Sequence, residues 1–322
     1  MTEPVPPELQ GQEVPDQESL EFEAWAVALV TGWLSGAVAA LLARAYAAWA
    51  ATGVLVGVVL AEQIRQIRWR PMGPALVRVA GDARDLGQRQ AVRLFAGPDR
   101  ERAARADWRA RGLPPLPDVE ASTRQLVGEA ARMAESLPMT RRADLHAVAG
   151  RLRQAVSRAE ATTRAVANEG VNAGVAEVAR TMGLRLIWVA ERNACLHCLA
   201  HAGWAVEPGE LFPAGLTFDP AATGRVRAVA WPPLHPNCRC RVRTYSGPAG
   251  APPRDRSQVD PAARLAAEAR RSTVYQWTDY ASGAAKRRAA EALLQAGADL
   301  PVTVERRARA ALRRGREVRR PR

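Results

Sequence analysis

The residues of this chain that offer the most chemistry are its cysteines and histidines, and they lie close together. All four cysteines and three of the four histidines fall within residues 188–245. The set comprises Cys195, His197, Cys198, His201, His235, Cys238 and Cys240. In a chain of 322 residues, such clustering indicates a shared local role.

A bound metal ion is the role that the spacing favours. Only two residues separate Cys195 from Cys198, so a tight turn brings both sulfurs to one point. Zinc takes four nitrogen or sulfur ligands tetrahedrally, commonly as two close pairs separated by a longer excursion. With Cys195 and Cys198 as two of the four ligands, two positions remain. The second half of the cluster offers three candidates for them, His235, Cys238 and Cys240. The pattern predicts a structural zinc site and leaves open whether it has four thiolates or three thiolates and an imidazole.

Two other interpretations of the cluster stay open. An even number of cysteines permits two disulfides, or thiols that simply pack, although no secretory signal supports an oxidising compartment. A cysteine nucleophile beside His197 is the weaker alternative, because no acidic residue stands out to orient that histidine. The zinc site is the interpretation that the spacing favours over both.

Short strands are expected to position these ligands. Residues 184–190 are rich in β-branched and aromatic side chains, which predicts a strand that leads to Cys195. Residues 239–244 alternate, with Cys240 and Val242 on one face and arginines on the other. We therefore expect a small antiparallel ribbon, which a bound ion would stabilise because so small a sheet has little core. Residues 199–234 form an insert between the two halves of the cluster. The apolar anchors expected for this insert are Phe212, Leu216 and Phe218.

Helical patterns fill most of the chain before the cluster. Residues 118–183 carry apolar side chains at spacings of three and four, with Thr140 as a helix cap and Gly183 just after the last turn. Residues 24–97 are an apolar, Ala-rich helical segment with a break at 71–74. Together these patterns predict a mainly α protein with long helices in its N-terminal two thirds.

Two segments interrupt or precede these helices. Residues 1–23 carry seven acidic residues, no basic ones and four prolines, which predicts disorder. Residues 98–117 are charged and Pro-rich, which is typical of a linker.

Residues 24–61 also raise the question of a membrane. They contain two uncharged runs, 24–43 and 45–61, separated by Arg44. Twenty apolar residues suffice to span a bilayer, but small residues fill about half of the first run. A row of large side chains at multiples of four instead favours a helix packed on another helix, or a subunit interface. That row consists of Trp25, Leu29, Trp33, Leu41 and Trp49.

The chain has a net charge of +13, and its basic residues are almost all arginines, since Lys286 is the only lysine. Residues 247–322 read as a linker followed by a helical, basic C-terminal tail. The last 22 residues hold nine arginines against Glu305 and Glu317. A run of like charge is typical of an interaction tail, with DNA or an acidic protein surface as its targets. A GC-rich genome also produces proteins with an excess of arginine and abundant alanine, so the basic charge by itself is weaker evidence for DNA binding.

A longer motif around the cysteines resembles a known family. Residues 231–240 read Trp-Pro-Pro-Leu-His-Pro-Asn-Cys-Arg-Cys and follow the Cys-x-x-Cys pair. The motif is similar to the C-terminal signature of Mu F-like minor head proteins of tailed bacteriophages, also called phage head morphogenesis proteins. The resemblance covers about residues 160–246 and includes the helical approach with Arg164, Asn168, Glu169, Gly170 and Gly174. Many members carry Asp shortly before the first cysteine, where this chain has Glu191 and Asn193.

The resemblance implies a structural protein and not an enzyme. Residues 118–246 would form the Mu F-like head morphogenesis domain, with its Cys/His module at 184–246. Such a protein contacts the portal and interior head proteins during assembly, first in the bacterial cytoplasm and then inside the phage head. The alternatives are an HNH-like zinc-dependent nucleic-acid enzyme and a membrane-anchored protein with a zinc module. The enzyme is disfavoured because no histidine follows His235.

Overall fold

The computed structural model describes residues 12–13, 17–95, 116–191, 194–217, 224–235, 238–245 and 309. Within them, residues 16–174, together with His235, form one compact unit, which we name the helical unit. Residues 175–234 and the chain from 238, with the residues before 16, form a second one, which we name the cysteine module. The predicted linker before residue 116 and the predicted basic tail lie outside the described residues, apart from Arg309.

In the part of the chain that the structure describes, five helices precede the first cysteine. They are α1 (Gln17–Thr52), α2 (Gly57–Arg65), α3 (Gly73–Arg93), α4 (Val119–Ser136) and α5 (Arg142–Met182). The mainly helical character predicted from the sequence is thereby confirmed. Helix α1 begins seven residues before the predicted boundary at 24, with Glu18 in its first turn. An acidic side chain there interacts favourably with the positive end of the helix dipole.

The core of the helical unit is built from alanine, valine and leucine. Helix α1 buries a stripe that recurs every three or four residues, as an amphipathic helix does. The stripe consists of Ala26, Val30, Leu34, Val38, Leu41 and Ala45. Of the row predicted to pack on another helix, Leu41 alone is buried, whereas Trp25 and Leu29 are each 37% exposed. The row winds around the helix because its period is four and not 3.6 residues.

Helix α1 is long and apolar enough to cross a membrane by length and composition alone. Of its most apolar stretch, 39% is buried inside the protein. A core helix of a soluble protein passes the same test of length and composition, so this feature by itself does not assign α1 to a membrane.

Helices α3 and α5 cross at a contact made by glycines. A Cβ atom added to Gly87 would overlap the carbonyl oxygen of Val171, and one added to Gly174 would overlap the carbonyl oxygen of Arg84. At Gly170 the added atom would lie 2.6 Å from Cβ of Ala83. The two backbones therefore approach each other more closely than any larger side chain would permit.

The later helices follow their sequence signals. The side chain of Asp118 accepts a hydrogen bond from the backbone N–H of Ala121 and so caps α4. Helix α5 begins two residues after Thr140 and runs without interruption for 41 residues. It ends at Gly183, which adopts φ 67°, the left-handed conformation expected after a last helical turn.

The cysteine module contains a small sheet. Its strands are β1 (Gln12–Glu13), β2 (Arg185–Glu191), β3 (Ala205–Val206) and β4 (Arg241–Tyr245), and one short helix, α6 (Leu196–His201), lies between β2 and β3. Strand β2 pairs antiparallel with both β3 and β4 and parallel with β1. The predicted strand and antiparallel ribbon are confirmed, since β2 lies within one residue of the predicted range 184–190 and β4 includes most of the range 239–244.

Candidate metal centre

Strand pairing brings together cysteines that lie 40 or more residues apart in sequence. In the register of β2 and β4, Trp188 pairs with Val242 and Val189 pairs with Arg241. Cys240 directly precedes β4 and therefore lies near the C-terminal end of β2. From that end of β2 the chain continues toward Cys195. This alignment explains why the two halves of the motif meet.

The first pair of cysteines lies at the start of a helix. Cys195 is the N-cap of α6, and Cys198 lies in the first turn of that helix. The backbone N–H of Leu199 donates a hydrogen bond of 2.9 Å to the carbonyl oxygen of Cys195. The turn that the Cys-x-x-Cys spacing predicts is thus the first turn of α6.

Three sulfur atoms converge in the interior of the module. Those of Cys198, Cys238 and Cys240 all lie within 4.8 Å of one another, and all three residues are buried. The sulfurs of Cys198 and Cys238 are 3.5 Å apart. Two thiolates of a tetrahedral zinc site stand about 3.8 Å apart, given a zinc–sulfur bond of about 2.3 Å. The spacing of these sulfurs suits a metal ion.

The remaining candidates also lie near Cys198. The ligand atoms of Cys195, Cys198 and His235 form a second group within 4.8 Å of one another. The thiol of Cys198 is also within hydrogen-bonding reach of the other three thiols. All five residues predicted from the sequence therefore belong to groups that could hold a metal ion, and Cys198 is common to both groups.

All four cysteines are free thiols. A disulfide needs two sulfurs at about 2.05 Å, and the 3.5 Å between Cys198 and Cys238 is well beyond that. The predicted alternative of two disulfides is not what the structure has.

The electrostatics of the cluster make metal binding dependent on pH. Hydrogen bonds with Cys195 and the other thiols, together with burial, raise the pKa of Cys198 well above the ordinary value of 9.0. Burial is the largest cause of a raised pKa at Cys240. Without a cation these groups stay protonated at neutral pH, because several buried thiolates would repel one another. A metal ion that binds here must displace protons, so its affinity should fall as the pH is lowered.

The cysteine module also contains a buried aromatic cluster. Trp188, Phe212 and His201 are all fully buried, and the Trp188 ring lies 5.0 Å from Phe212 and 4.8 Å from His201. Phe212 was predicted as an anchor, and Leu216 is buried as well. Phe218 lies outside the described residues. The burial of His201 is a feature that its sequence position beside the Cys-x-x-Cys pair did not reveal.

Each of the two histidines in α6 has a structural partner. Nδ1 of His201 donates a hydrogen bond of 2.8 Å to the carbonyl oxygen of His197, and burial lowers the pKa of His201. Nδ1 of His197 lies 2.7 Å from the hydroxyl oxygen of Thr217. The first contact lies within α6, and the second ties α6, which presents two of the cysteines, to the loop that carries Phe212.

Arginines flank the cysteines along β4, as the alternating pattern predicts. Val242 is buried, whereas Arg239 and Arg243 are half-buried. A guanidinium nitrogen of Arg239 lies 3.8 Å from a carboxylate oxygen of Glu191, at the end of β2. This ion pair joins the strand that leads to the first cysteine pair and the segment that carries the second.

No family model, curated protein or solved structure matches this chain. The class of protein that the fold and the site define is a mainly helical protein with a small antiparallel sheet and a cysteine cluster that could hold a metal ion.

Proposed function

We propose that this chain is a structural minor head protein of the Mu F-like kind, and that its cysteine module is held together by zinc. The observation that carries the proposal is the convergence of the Cys-x-x-Cys turn with His235, Cys238 and Cys240 around Cys198. The same two motifs are the ones in which the sequence resembles that family. The role follows from contacts with other head proteins and involves no reaction.

Zinc is the ion that the donors favour. Thiolates are soft ligands, and a tetrahedral arrangement of sulfur with or without one imidazole is typical of structural zinc. We assign four thiolates, because Cys198 reaches the other three thiols and three of the four cysteines are buried. A closed set of four ligands leaves no open position for a substrate or an activated water.

The role of the zinc is to make a small sheet rigid. Strand β3 has two residues and β4 has five, so backbone pairing alone would stabilise the module weakly. An ion that joins α6 to the segment before β4 fixes the relative positions of the two halves. The rigid module then presents its surface to a partner, for which we propose the portal or an interior head protein.

The basic tail gives the proposal a second partner. The last 22 residues carry nine arginines and two acidic residues, and arginines bind phosphate groups through charge-assisted hydrogen bonds. We propose that the tail contacts packaged DNA in the head interior. A complex with duplex DNA that weakens steeply with added salt, and that is lost when residues 301–322 are removed, would support this contact.

Genetic removal tests the assembly role. In a phage or prophage that carries this gene, deletion should leave the host viable and sharply reduce the number of DNA-filled heads seen by electron microscopy. The wild-type gene should restore them, whereas a gene with Cys198→Ser and Cys240→Ser should not. Mass spectrometry of purified particles should find the protein in a few copies per head. Particles of normal number and infectivity without the protein would refute the proposal.

A further inference from the structure

The outer face of α1 is apolar over most of its length. Between Glu21 and Arg44, both exposed, its exposed residues carry no charge. This stretch of 22 intervening residues is about 33 Å long at the rise of an α-helix. The exposed residues there are Ala24, Trp25, Ala28, Leu29, Gly32, Gly36, Ala39, Ala40 and Ala43. Monomeric proteins rarely expose an apolar face of this length without a partner.

Two large side chains are followed by two glycines along this face. Trp25 and Leu29 are each 37% exposed, and the guanidinium of Arg78 lies 5.5 Å from the Trp25 ring, which holds that ring in place. A Cβ atom added to Gly32 or Gly36 would meet nothing within 4 Å. The face therefore presents two projections beside two open positions.

The spacing of these four residues is self-complementary. In an antiparallel pair of α1 helices centred midway between positions 30 and 31, position 25 lies opposite position 36, and position 29 lies opposite position 32. Each large side chain then faces a glycine of the other copy. A parallel pair would instead place Trp25 against Trp25.

A neighbouring groove and its charge fit the same arrangement. The groove has a volume of about 550 Å³ and lies between α1 and α5, lined by residues that include Ala39, Leu42, Tyr46, Arg153 and Val156. In the antiparallel pair, position 21 lies opposite position 40, which directly follows Ala39 of the groove lining. The exposed carboxylate of Glu21 would thus approach the exposed guanidinium of Arg153 in the other copy, twice by symmetry.

We propose that the α1 face binds a second copy of this chain, in an antiparallel helix pair with Trp25 against Gly36 and Leu29 against Gly32. The complementary charges of Glu21 and Arg153 set its direction. A face of about 33 Å by about 10 Å is small for a protein interface, so the dimer should dissociate in the micromolar range. The inference does not depend on the proposed head-assembly role, because it concerns the helical unit by itself.

Sedimentation equilibrium of the full-length protein over a range of concentrations tests the dimer. The wild type should shift from monomer to dimer in the micromolar range. The variant with Gly32→Leu and Gly36→Leu fills both open positions and should stay monomeric throughout. Gly150→Leu is the matched control, because Gly150 is also an exposed helical glycine with nothing within 4 Å of an added Cβ. It should dimerise like the wild type.

Charge reversal tests the direction of the pair. Glu21→Arg and Arg153→Glu should each weaken dimerisation about tenfold, a loss of about 1.4 kcal/mol, and the double reversal should restore it. Circular dichroism should show equal helix content in all variants. A wild type that is monomeric at every concentration overturns the proposal, and so does a double reversal that fails to restore the dimer. Cosedimentation with phosphatidylethanolamine–phosphatidylglycerol vesicles that occurs equally in the glycine variant would instead assign the face to a membrane.

Discussion

Cys198 holds a special place among the ligands because it belongs to both groups of converging ligand atoms. Its replacement by serine removes a ligand from a site of four thiolates and equally from one of three thiolates and an imidazole. We expect Cys198→Ser to lose most bound zinc, measured as metal per protein after dialysis. The module should lose the stability that the ion contributes, because a structural zinc site adds its binding free energy to folding.

Two milder variants separate the alternative ligand sets. With four thiolates, Cys195→Ser should lower the zinc affinity strongly and His235→Ala only weakly. Cobalt in place of zinc gives absorption bands whose energies depend on the number of sulfur ligands, so His235→Ala should leave the cobalt spectrum unchanged. His146→Ala is the control, since that exposed histidine contacts Tyr46 in the helical unit. A cobalt spectrum that changes with His235→Ala would replace our assignment by three thiolates and an imidazole.

Glu169 in α5 offers a test of buried charge. It is half-buried, and burial raises its pKa above the ordinary 4.5. As the pH rises past 4.5, the unfolded chain releases this proton before the folded chain does, so the folded state loses stability. Glu169→Gln should therefore unfold at higher urea than the wild type at about pH 7, and the difference should vanish near pH 3.5. Equal midpoints at both pH values would mean that burial does not penalise the carboxylate.

At the scale of elements, the crossing of α3 and α5 depends on glycine. Gly174→Ala should lower the free energy of unfolding by about 1–3 kcal/mol, because the added methyl group overlaps the carbonyl oxygen of Arg84. The control is Gly150→Ala in the same helix, where the added methyl group meets nothing within 4 Å. That change should stabilise the protein by up to about 1 kcal/mol, since alanine favours helix over glycine. Urea unfolding of both variants would contradict this account if their effects were equal.

Local signals predicted several element boundaries well. Asp118 and Gly183 bracket α4 and α5 because a cap and a left-handed residue act within one turn. Strands β2 and β4 were predicted from composition and alternation. The close approach of α3 to α5 could not be predicted in this way, because a glycine in a helix gives no indication of which helix will face it. The same holds for Trp25, whose exposure depends on where neighbouring helices pack.

At the site, spacing predicted which residues meet but not how each is used. The five candidate ligands were all found in converging groups. His201 lies three residues after Cys198 in the sequence, yet it packs against Trp188 and near Phe212 in the core. A histidine beside metal-binding cysteines gives the same sequence signal whether it binds the ion or packs beneath it, and only its burial separates the two.

At the scale of the whole molecule, the two compact units should respond differently to loss of metal. The helical unit has a core of its own, which includes Leu34, Ile64 and Leu152, all fully buried. The cysteine module has a sheet of short strands, and all four thiols belong to it. A chelator should therefore unfold the module and leave the helices of residues 16–174 folded.

Hydrogen exchange read by mass spectrometry resolves the two units in one experiment. With excess EDTA, the amides of β2 should exchange much faster than in zinc-containing buffer, whereas those of α1 and α4 should keep their protection. EDTA already saturated with zinc is the control and should change nothing, and added zinc should restore the protection of β2. The expectation depends on the ion being the main stabilising contact of a sheet in which β3 has only two residues. Protection of β2 that survives chelation would show that Trp188 and Phe212 suffice as its core, and the thiol cluster would then have no part in folding.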